Sequence, residues 1–193
     1  MSIRILGLAG STRSGSLNKR LVRAALHHAE AGGADTTFLD LRSLEIPLYD
    51  GDLEAASGLP EGVRTLRAAL VEADGILISS PEYNGSFSAV LKNAIDWASR
   101  PDPDRPGEPS PWQGGVAALL SATPGGLGGI RGLIQLRTVL SGIGVQVVPR
   151  QLGVASAHEV VDETGVIEHE RWRTGVAAVV EDLVDVATRL RGS

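Results

Sequence analysis

The sequence predicts an α/β fold in which a doubly wound parallel sheet of five strands carries helices on both faces. Short, almost wholly apolar runs recur along the chain, as expected of parallel strands covered on both sides. They alternate with longer segments whose apolar residues recur at helical spacing. The 193 residues, 42% hydrophobic and 21% charged, suit one globular domain over 1–193 with a substantial core.

In the first half of the chain, the strands are predicted over 3–9, 36–39 and 75–80, and the first of them is almost continuously apolar. The first helix, about 16–31, has an apolar stripe and ends at two glycines. A segment over 41–60 is expected to be irregular. The second helix, about 60–73, starts at a proline, which the first turn of a helix tolerates.

The second half continues the alternation. The third helix is predicted to about residue 99, and its core stripe of Phe87, Leu91 and Ile95 leaves Trp97 to face a partner subunit. The segment 100–111 holds five of the ten prolines and is expected to be a surface excursion, with solvation or a gating role both open. The remaining elements are expected as strands over 116–121 and 145–148 and helices over about 130–141 and 168–190.

Composition excludes several function classes. No apolar run approaches the ~20 residues of a membrane span, and the N-terminus leads directly into a strand, so a cytoplasmic protein is expected. The absence of cysteine excludes disulfides, thiolate metal sites and Cys nucleophiles. A net charge of −5 without a basic stretch argues against nucleic-acid binding. The four histidines show no metal-ligand spacing, so no metal site is expected.

The loop over 10–18 follows the first strand and opens into a helix, which is a common way to hold a phosphate group. Free backbone N–H groups and the positive end of the helix dipole both favour an anion there. Serine and threonine hydroxyls and Arg13 add donors. The loop lacks the lysine of a GxxxxGK[ST] loop and the spacing of a GxGxxG fingerprint, so it is neither of these.

Two further loops follow the third and fourth strands, over 81–86 and 122–129. The first combines a proline, a carboxylate, a phenol and an amide, which can edge a flat polar ring. The second is rich in glycine, so its backbone can approach a ligand closely. Because the carboxyl ends of parallel strands meet at one edge of a sheet, the three loops predict a pocket for a phosphorylated planar heterocycle.

These residues resemble the NADPH-dependent FMN reductase family of flavodoxin-like proteins, which includes quinone, azo-dye and chromate reductases. The matching segments read GSTRSGSLN at 10–18, PEYNGSFSAVLKNAIDWASRP at 81–101 and SATPGGLGGIRGLIQLR at 121–137, with a weaker match, IPLYDGDLE, at 46–54. The resemblance implies a flavodoxin-like strand order of 2-1-3-4-5 and a single FMN-binding domain. It also implies a homodimer or homotetramer through the third and fourth helices, whose apolar character agrees with self-association.

The resemblance implies an FMN-dependent NAD(P)H oxidoreductase. Hydride would pass from NADPH or NADH to bound FMN, and electrons would then reach a small-molecule acceptor: a quinone, a flavin, an azo compound or a metal oxyanion. No catalytic acid or base is assigned, and Glu82 is expected to be an anchor to backbone or to a neighbouring subunit. The residues implied to bind the cofactor are Ser11, Arg13, Ser16, Leu17, Asn18, Pro81, Glu82, Tyr83, Asn84, Gly85, Ser121, Thr123, Pro124, Gly125 and Gly126.

Two alternatives stay open on the sequence. One is a non-catalytic flavin carrier or redox-responsive interaction protein, and the other is a phosphate-binding module without flavin. The family often has Gly-Lys before the fourth strand, where this chain has Gly114-Gly115, so the choice between NADPH and NADH is also open.

Overall fold

The computed structural model describes residues 2–192 and confirms the α/β architecture. The strands are β1 Arg4–Ala9, β2 Asp35–Leu39, β3 Gly75–Ser79, β4 Glu82–Tyr83, β5 Ser86–Phe87, β6 Val116–Ala122 and β7 Gln146–Val154. The helices are α1 Leu17–Ala31, α2 Gly51–Ser57, α3 Glu61–Glu72, α4 Ala89–Ala98, α5 Ile130–Gly142, α6 Ala157–Val160 and α7 Glu170–Arg191.

The main sheet has five parallel strands in the order β2-β1-β3-β6-β7. This is the expected order 2-1-3-4-5, because β6 and β7 are the fourth and fifth long strands. Helices α1 and α7 pack on one face, and α3, α4 and α5 on the other, each over its own cluster of buried apolar side chains. The sheet is therefore doubly wound, and the carboxyl ends of β1, β3 and β6 lie side by side.

Four short elements appear where none was predicted: α2, β4, β5 and α6. Helix α2 lies within the segment expected to be irregular, and none of its residues is buried, so it has no apolar stripe for a sequence pattern to reveal. Its start is marked by Asp50, whose carboxylate accepts a hydrogen bond from the N–H of Asp52 at 2.8 Å. Strands β4 and β5 form a small antiparallel hairpin where a loop was expected.

The prediction that Trp97 faces a partner subunit is wrong. Its side chain is fully buried within the chain, and its indole Nε1 donates to the carbonyl of Pro47 at 2.9 Å. The Tyr49 ring meets the indole edge-on, with ring centroids 5.0 Å apart. The face of α4 that the core stripe leaves open is thus covered by the segment that precedes α2, a long-range contact that helical periodicity does not reveal.

The proline-rich segment 100–111 packs against α3. Asp102 is buried there, and Arg64 of α3 pairs with Asp102 at 3.6 Å and with Asp104 at 2.8 Å. Within residues 2–192, no helix combines the length and apolar character that a membrane crossing requires.

Candidate active site

A cleft of about 550 Å³ opens at the carboxyl ends of β1, β3 and β6. It brings together ten of the residues implied to bind a cofactor: Ser11, Arg13, Ser16, Leu17, Asn18, Pro81, Glu82, Tyr83, Thr123 and Pro124. Four further residues line it: Gly15, Arg20, Ala122 and His158. The other implied residues lie outside this lining: Asn84, Gly85, Ser121, Gly125 and Gly126.

The loop after β1 is open to an anion. In the part of the chain that the structure describes, the backbone N–H groups of Thr12, Gly15, Leu17 and Asn18 donate to no protein acceptor. Ser16 caps α1, because its hydroxyl oxygen accepts a hydrogen bond from the N–H of Lys19 at 3.3 Å. The helix start therefore presents unpaired donors and the positive end of its dipole to the cleft.

The loop leaves β1 close to the end of β3. Gly10 donates its N–H to the carbonyl of Ser79 at 2.8 Å. A Cβ at Gly10 would lie 2.8 Å from the hydroxyl oxygen of Ser80 and 2.9 Å from that of Ser88, closer than such atoms approach. Glycine at this position thus lets the loop over 10–18, which we name the phosphate-type loop, lie directly against the end of β3.

The carboxamide of Asn18 joins three elements beneath the cleft. Its Nδ2 donates to the carbonyl of Ala122 at 2.8 Å. Its Oδ1 accepts from the N–H of Ala122 at 3.0 Å and from the hydroxyl of Ser79 at 2.8 Å. Since Asn18 lies in the first turn of α1, the side chain holds that helix against the ends of β3 and β6. The resemblance implied a phosphate ligand here, and the structure gives the carboxamide these protein partners.

The loop after β3 is the β4–β5 hairpin. Tyr83 pairs with Ser86, and the two residues between them, Asn84 and Gly85, have φ values of 53° and 83°. Positive φ at both central positions is that of a type I′ turn, for which Asn-Gly is the strongest sequence signal. Asn84 and Gly85 thus shape the hairpin tip, while Tyr83 lines the cleft with its side chain half exposed.

Glu82 is anchored as the sequence analysis expected. Its carboxylate accepts from the backbone N–H groups of Arg131 at 3.1 Å and Gly132 at 3.3 Å, at the start of α5. The guanidinium of Arg131 also donates to it, with Nε at 2.7 Å. The Arg131 side chain and these N–H groups hold the pKa of Glu82 below its usual 4.5, against the opposing effect of burial. The carboxylate therefore stays ionised, and its charge is balanced.

The loop after β6 packs tightly on the end of β7. Thr123 donates its N–H to the carbonyl of Val154 at 3.1 Å and accepts from the N–H of Ala157 at 2.9 Å. The hydroxyl oxygen of Ser121 is fully buried without a hydrogen-bond partner among the described residues, and a Cβ at Gly129 would overlap it. This loop is thus held close to the segment that follows β7.

His158 was missed because its segment lies beyond the strand predicted over 145–148. Strand β7 continues to Val154, and α6 then places His158 on the cleft wall. Its side chain is exposed, with Nε2 3.6 Å from a carboxylate oxygen of Glu159. His158 could have been predicted at this site only if the end of β7 had been predicted correctly.

The donor set fits a phosphorylated flavin. Unpaired N–H groups and serine hydroxyls line one end of the cleft together with Arg13, and at the other end Glu82 carries no unbalanced charge. The half-exposed Tyr83 ring and the Thr123–Pro124 backbone line the other part of the cleft. A planar ring system can pack between them. Among residues 2–192, no group of three or more His, Asp and Glu side chains is arranged to hold a metal ion.

Comparisons with known proteins point the same way. Residues 3–159 match the family model described as NADPH-dependent FMN reductase. An NAD(P)H-dependent FMN reductase of Pseudomonas aeruginosa is 35% identical over 192 residues, covering 98% of each chain. An NAD(P)H:quinone oxidoreductase of Solanum tuberosum is 34% identical, covering 98% of this chain and 95% of its own. The solved structure of FerB, a flavoenzyme NAD(P)H:(acceptor) oxidoreductase from Paracoccus denitrificans, superposes with a TM-score of 0.82 at 28% identity, covering 97% and 98% of the two chains.

Proposed function

This chain belongs to the NADPH-dependent FMN reductase family, and from that premise we propose that it binds FMN in the cleft and transfers electrons from NAD(P)H to a small-molecule acceptor. It is an oxidoreductase, as its relatives are. The main support for FMN as the cofactor is that unpaired N–H donors at the start of α1 lie in the same cleft as the hairpin after β3.

The loop after β1 is the phosphate end of the proposal. The N–H groups of Gly15 and Leu17 are proposed to donate to phosphate oxygens, as are the hydroxyls of Ser11 and Ser16. The exposed guanidinium of Arg13 adds a planar pair of donors. These groups anchor a phosphate that is not transferred, which agrees with the missing P-loop lysine.

The β4–β5 hairpin and the Thr123–Pro124 backbone form the ring end. When bound, FMN supplies the redox chemistry, accepting a hydride from NAD(P)H and releasing electrons to the acceptor. The hairpin, fixed by its Asn84-Gly85 turn, sets where a ring can lie, and Glu82 locks it to α5. Glu82 is no proton donor in this scheme, because its lowered pKa and its hydrogen bonds keep it ionised.

The acceptor is proposed to be a quinone or a similarly flat molecule. Several of the relatives are quinone reductases, and the exposed ring of Tyr83 lies at the cleft entrance, where a planar acceptor can stack on it. The expected cytoplasmic localisation stays a prediction.

We propose that the chain self-associates mainly through α5 and not through α4. On α5 and just before it, Leu127, Ile130 and Ile134 expose apolar surface, with Ile134 53% exposed. On α4, by contrast, Leu91, Ile95 and Trp97 are buried within the chain. Size-exclusion chromatography with light scattering should give an assembly larger than 20.1 kDa, and Ile134→Glu should shift it toward the monomer.

The test of the function begins with the purified protein. It should be yellow, release one FMN per chain on denaturation, and oxidise NADPH or NADH when a benzoquinone is added. Arg13→Gln should weaken FMN binding about tenfold, as expected for loss of a charge-assisted phosphate contact. Arg105→Gln, which removes an exposed arginine from the 100–111 segment, is the matched control and should leave FMN affinity unchanged.

Two outcomes would contradict the proposal. Failure to bind FMN supplied in excess would exclude a flavoenzyme. Binding of FMN without its reduction by NADPH or NADH in anaerobic stopped flow would identify a flavin carrier instead.

A further inference from the structure

A second cleft, of about 470 Å³, lies on the far side of the phosphate-type loop. We name it the cationic cleft; its lining residues include Lys19, Arg20 and Arg23 of α1, Asp40 and Arg42 after β2, and Glu163 from the segment before α7. Four basic side chains thus face two carboxylates, an excess of two positive charges on a chain whose net charge is −5. This local reversal of sign indicates an anion-binding surface.

Two of the six charges cancel within the protein. The Lys19 side chain is almost fully buried, and its Nζ lies 2.6 Å from a carboxylate oxygen of Asp40. The Arg20–Glu163 pair is much looser, at 3.8 Å, and the Glu163 side chain is 91% exposed. An incoming anion can therefore displace Glu163 from Arg20 at little cost.

The remaining two arginines have donors to spare. The guanidinium of Arg23 lies over the Phe38 ring, 4.5 Å from its centroid, and makes no hydrogen bond or ion pair with any residue of 2–192. Arg42 spends one N–H on the carbonyl of Thr12, at 3.2 Å. The stacked ring holds Arg23 in place, so its planar donors are pre-positioned for a phosphate group.

The cationic cleft continues the proposed flavin cleft. The two share Gly15, Ser16 and Arg20 in their linings. A cleft of about 600 Å³ between α3 and residues 102–108 shares no lining residue with the flavin cleft. A molecule that reaches over the flavin phosphate from the ring end would therefore enter the cationic cleft next.

We propose that the cationic cleft binds the 2′-phosphate of NADPH and gives the enzyme its preference for NADPH over NADH. The proposal rests on the function proposed above, since it places the reduced nicotinamide in the flavin cleft. Arg23 and Arg42 are the specificity-determining residues, and Arg20 assists once Glu163 is displaced. These arginines would supply the positive charge for the cosubstrate phosphate in a chain that has Gly114-Gly115, and no lysine, before β6.

The test compares the two cosubstrates in Arg23→Gln. The ratio of kcat/KM for NADPH to that for NADH should fall about fivefold to tenfold, because an exposed arginine–phosphate contact is lost only for NADPH. The matched control is Arg171→Gln, which removes an exposed arginine that also stacks on a ring, that of Trp172, 5.0 Å away and outside the cleft. Arg171→Gln should leave the ratio unchanged.

A binding measurement separates this proposal from the proposed function. Isothermal titration of the purified protein with 2′,5′-ADP, 5′-AMP and inorganic phosphate does not require turnover. We expect 2′,5′-ADP to bind more tightly than 5′-AMP, and the difference to shrink in Arg23→Gln while FMN content, read from flavin absorbance, stays at the wild-type level. Absence of nicotinamide oxidation in the wild type would refute the proposed function and leave this titration readable.

Three results would overturn the proposal. Equal affinity of the wild type for 2′,5′-ADP and 5′-AMP would exclude a 2′-phosphate subsite. Arg23-dependent binding of inorganic phosphate with an unchanged cosubstrate ratio would identify an adventitious anion site. Equal loss of kcat/KM for both cosubstrates in Arg23→Gln would identify a general effect of the substitution.

Discussion

The Asn18 side chain can stabilise the protein through its hydrogen bonds or bind the cofactor phosphate, and the variant Asn18→Ala separates these two roles. In this variant the N–H and C=O of Ala122 and the hydroxyl of Ser79 lose their buried partner. Each buried group left unsatisfied costs about 1–3 kcal/mol, although the Ser79 hydroxyl can rotate and the costs are not additive. We expect the free energy of unfolding to fall by about 3–4 kcal/mol.

The assay is urea and thermal unfolding of the FMN-free protein. For a chain of this size each kcal/mol shifts Tm by about 2–4 °C, so Asn18→Ala should melt about 6–16 °C lower. The FMN-free state is decisive, because a residue that only binds the cofactor contributes nothing to stability there. Asn93→Ala is the matched control: this asparagine also bridges backbone groups, accepting from the N–H of Tyr49 and donating to the C=O of Pro47, both at 2.8 Å, but away from the cleft.

The two variants should differ in cofactor binding. Asn93→Ala should lose stability and keep its FMN affinity, whereas Asn18→Ala should lose stability and bind FMN more weakly because the strand ends loosen. If FMN-free Asn18→Ala proves as stable as the wild type while its FMN affinity falls, the carboxamide is a phosphate ligand and the reasoning from its three hydrogen bonds is wrong.

Three further predictions concern the supports of the site. Because the pKa of Glu82 is held below 4.5, its stabilisation is present above that pH and is lost as the pH falls through the lower folded-state value; Glu82→Gln should cost about 1–2 kcal/mol at neutral pH and converge with the wild type in acid unfolding curves, and a gap that persists in acid would refute this. Gly10→Ala should lower stability by about 1–3 kcal/mol through its clash with Ser80, and Ser80→Ala should partly restore the Tm; no recovery would place the strain elsewhere. Trp97→Phe should cost about 1–3 kcal/mol, because it leaves a cavity at a fully buried position and removes one of the two hydrogen bonds that the Pro47 carbonyl accepts, the other coming from Asn93. The assembly size by light scattering should not change; dissociation at unchanged stability would restore an interface role.

The fold could be predicted because the three central strands of the main sheet, β1, β3 and β6, are short apolar runs and most helices carry an apolar stripe. What escaped prediction were elements without such a signature. Helix α2 buries none of its residues, so no periodicity marks it. Trp97 lies off the helix stripe and is buried by Pro47 and Tyr49, and a contact between segments so far apart in sequence cannot be read from local spacing.

The three loops of the candidate site were predicted from the sequence, but the role of each side chain within them was not. The sequence identifies which residue types end each strand, and ten of the implied cofactor-binding residues do share one cleft. It does not show that the Asn18 side chain binds protein partners, or that the anchor expected for Glu82 is the start of α5, since these partners lie 104 and 49 residues away in the chain. The Asn84-Gly85 pair was the readable exception, because it signals a type I′ hairpin by itself.

The course of β7 explains why the cleft has a wall that the sequence did not reveal. Pro149 has no N–H to donate, so a strand prediction stops before it. In the structure Ala117 pairs with Val147 and Leu119 with Gln151, so β7 bulges by two extra residues around the proline and then resumes. The guanidinium of Arg137 on α5 donates to the carbonyls of Val147 and Val148, at 3.1 and 2.8 Å, and to Pro149 at 3.3 Å.

One arginine thus satisfies the carbonyls that the bulge withdraws from the ladder, and the strand can continue past its proline. That continuation brings Val154 level with Ala122, where its carbonyl accepts the N–H of Thr123. The same extension places His158 on the cleft wall and Glu163 beside Arg20. Both clefts therefore depend on a bulge that α5 stabilises, so the edge strand, although it contributes no loop of the original three, determines how the phosphate end of the site is enclosed.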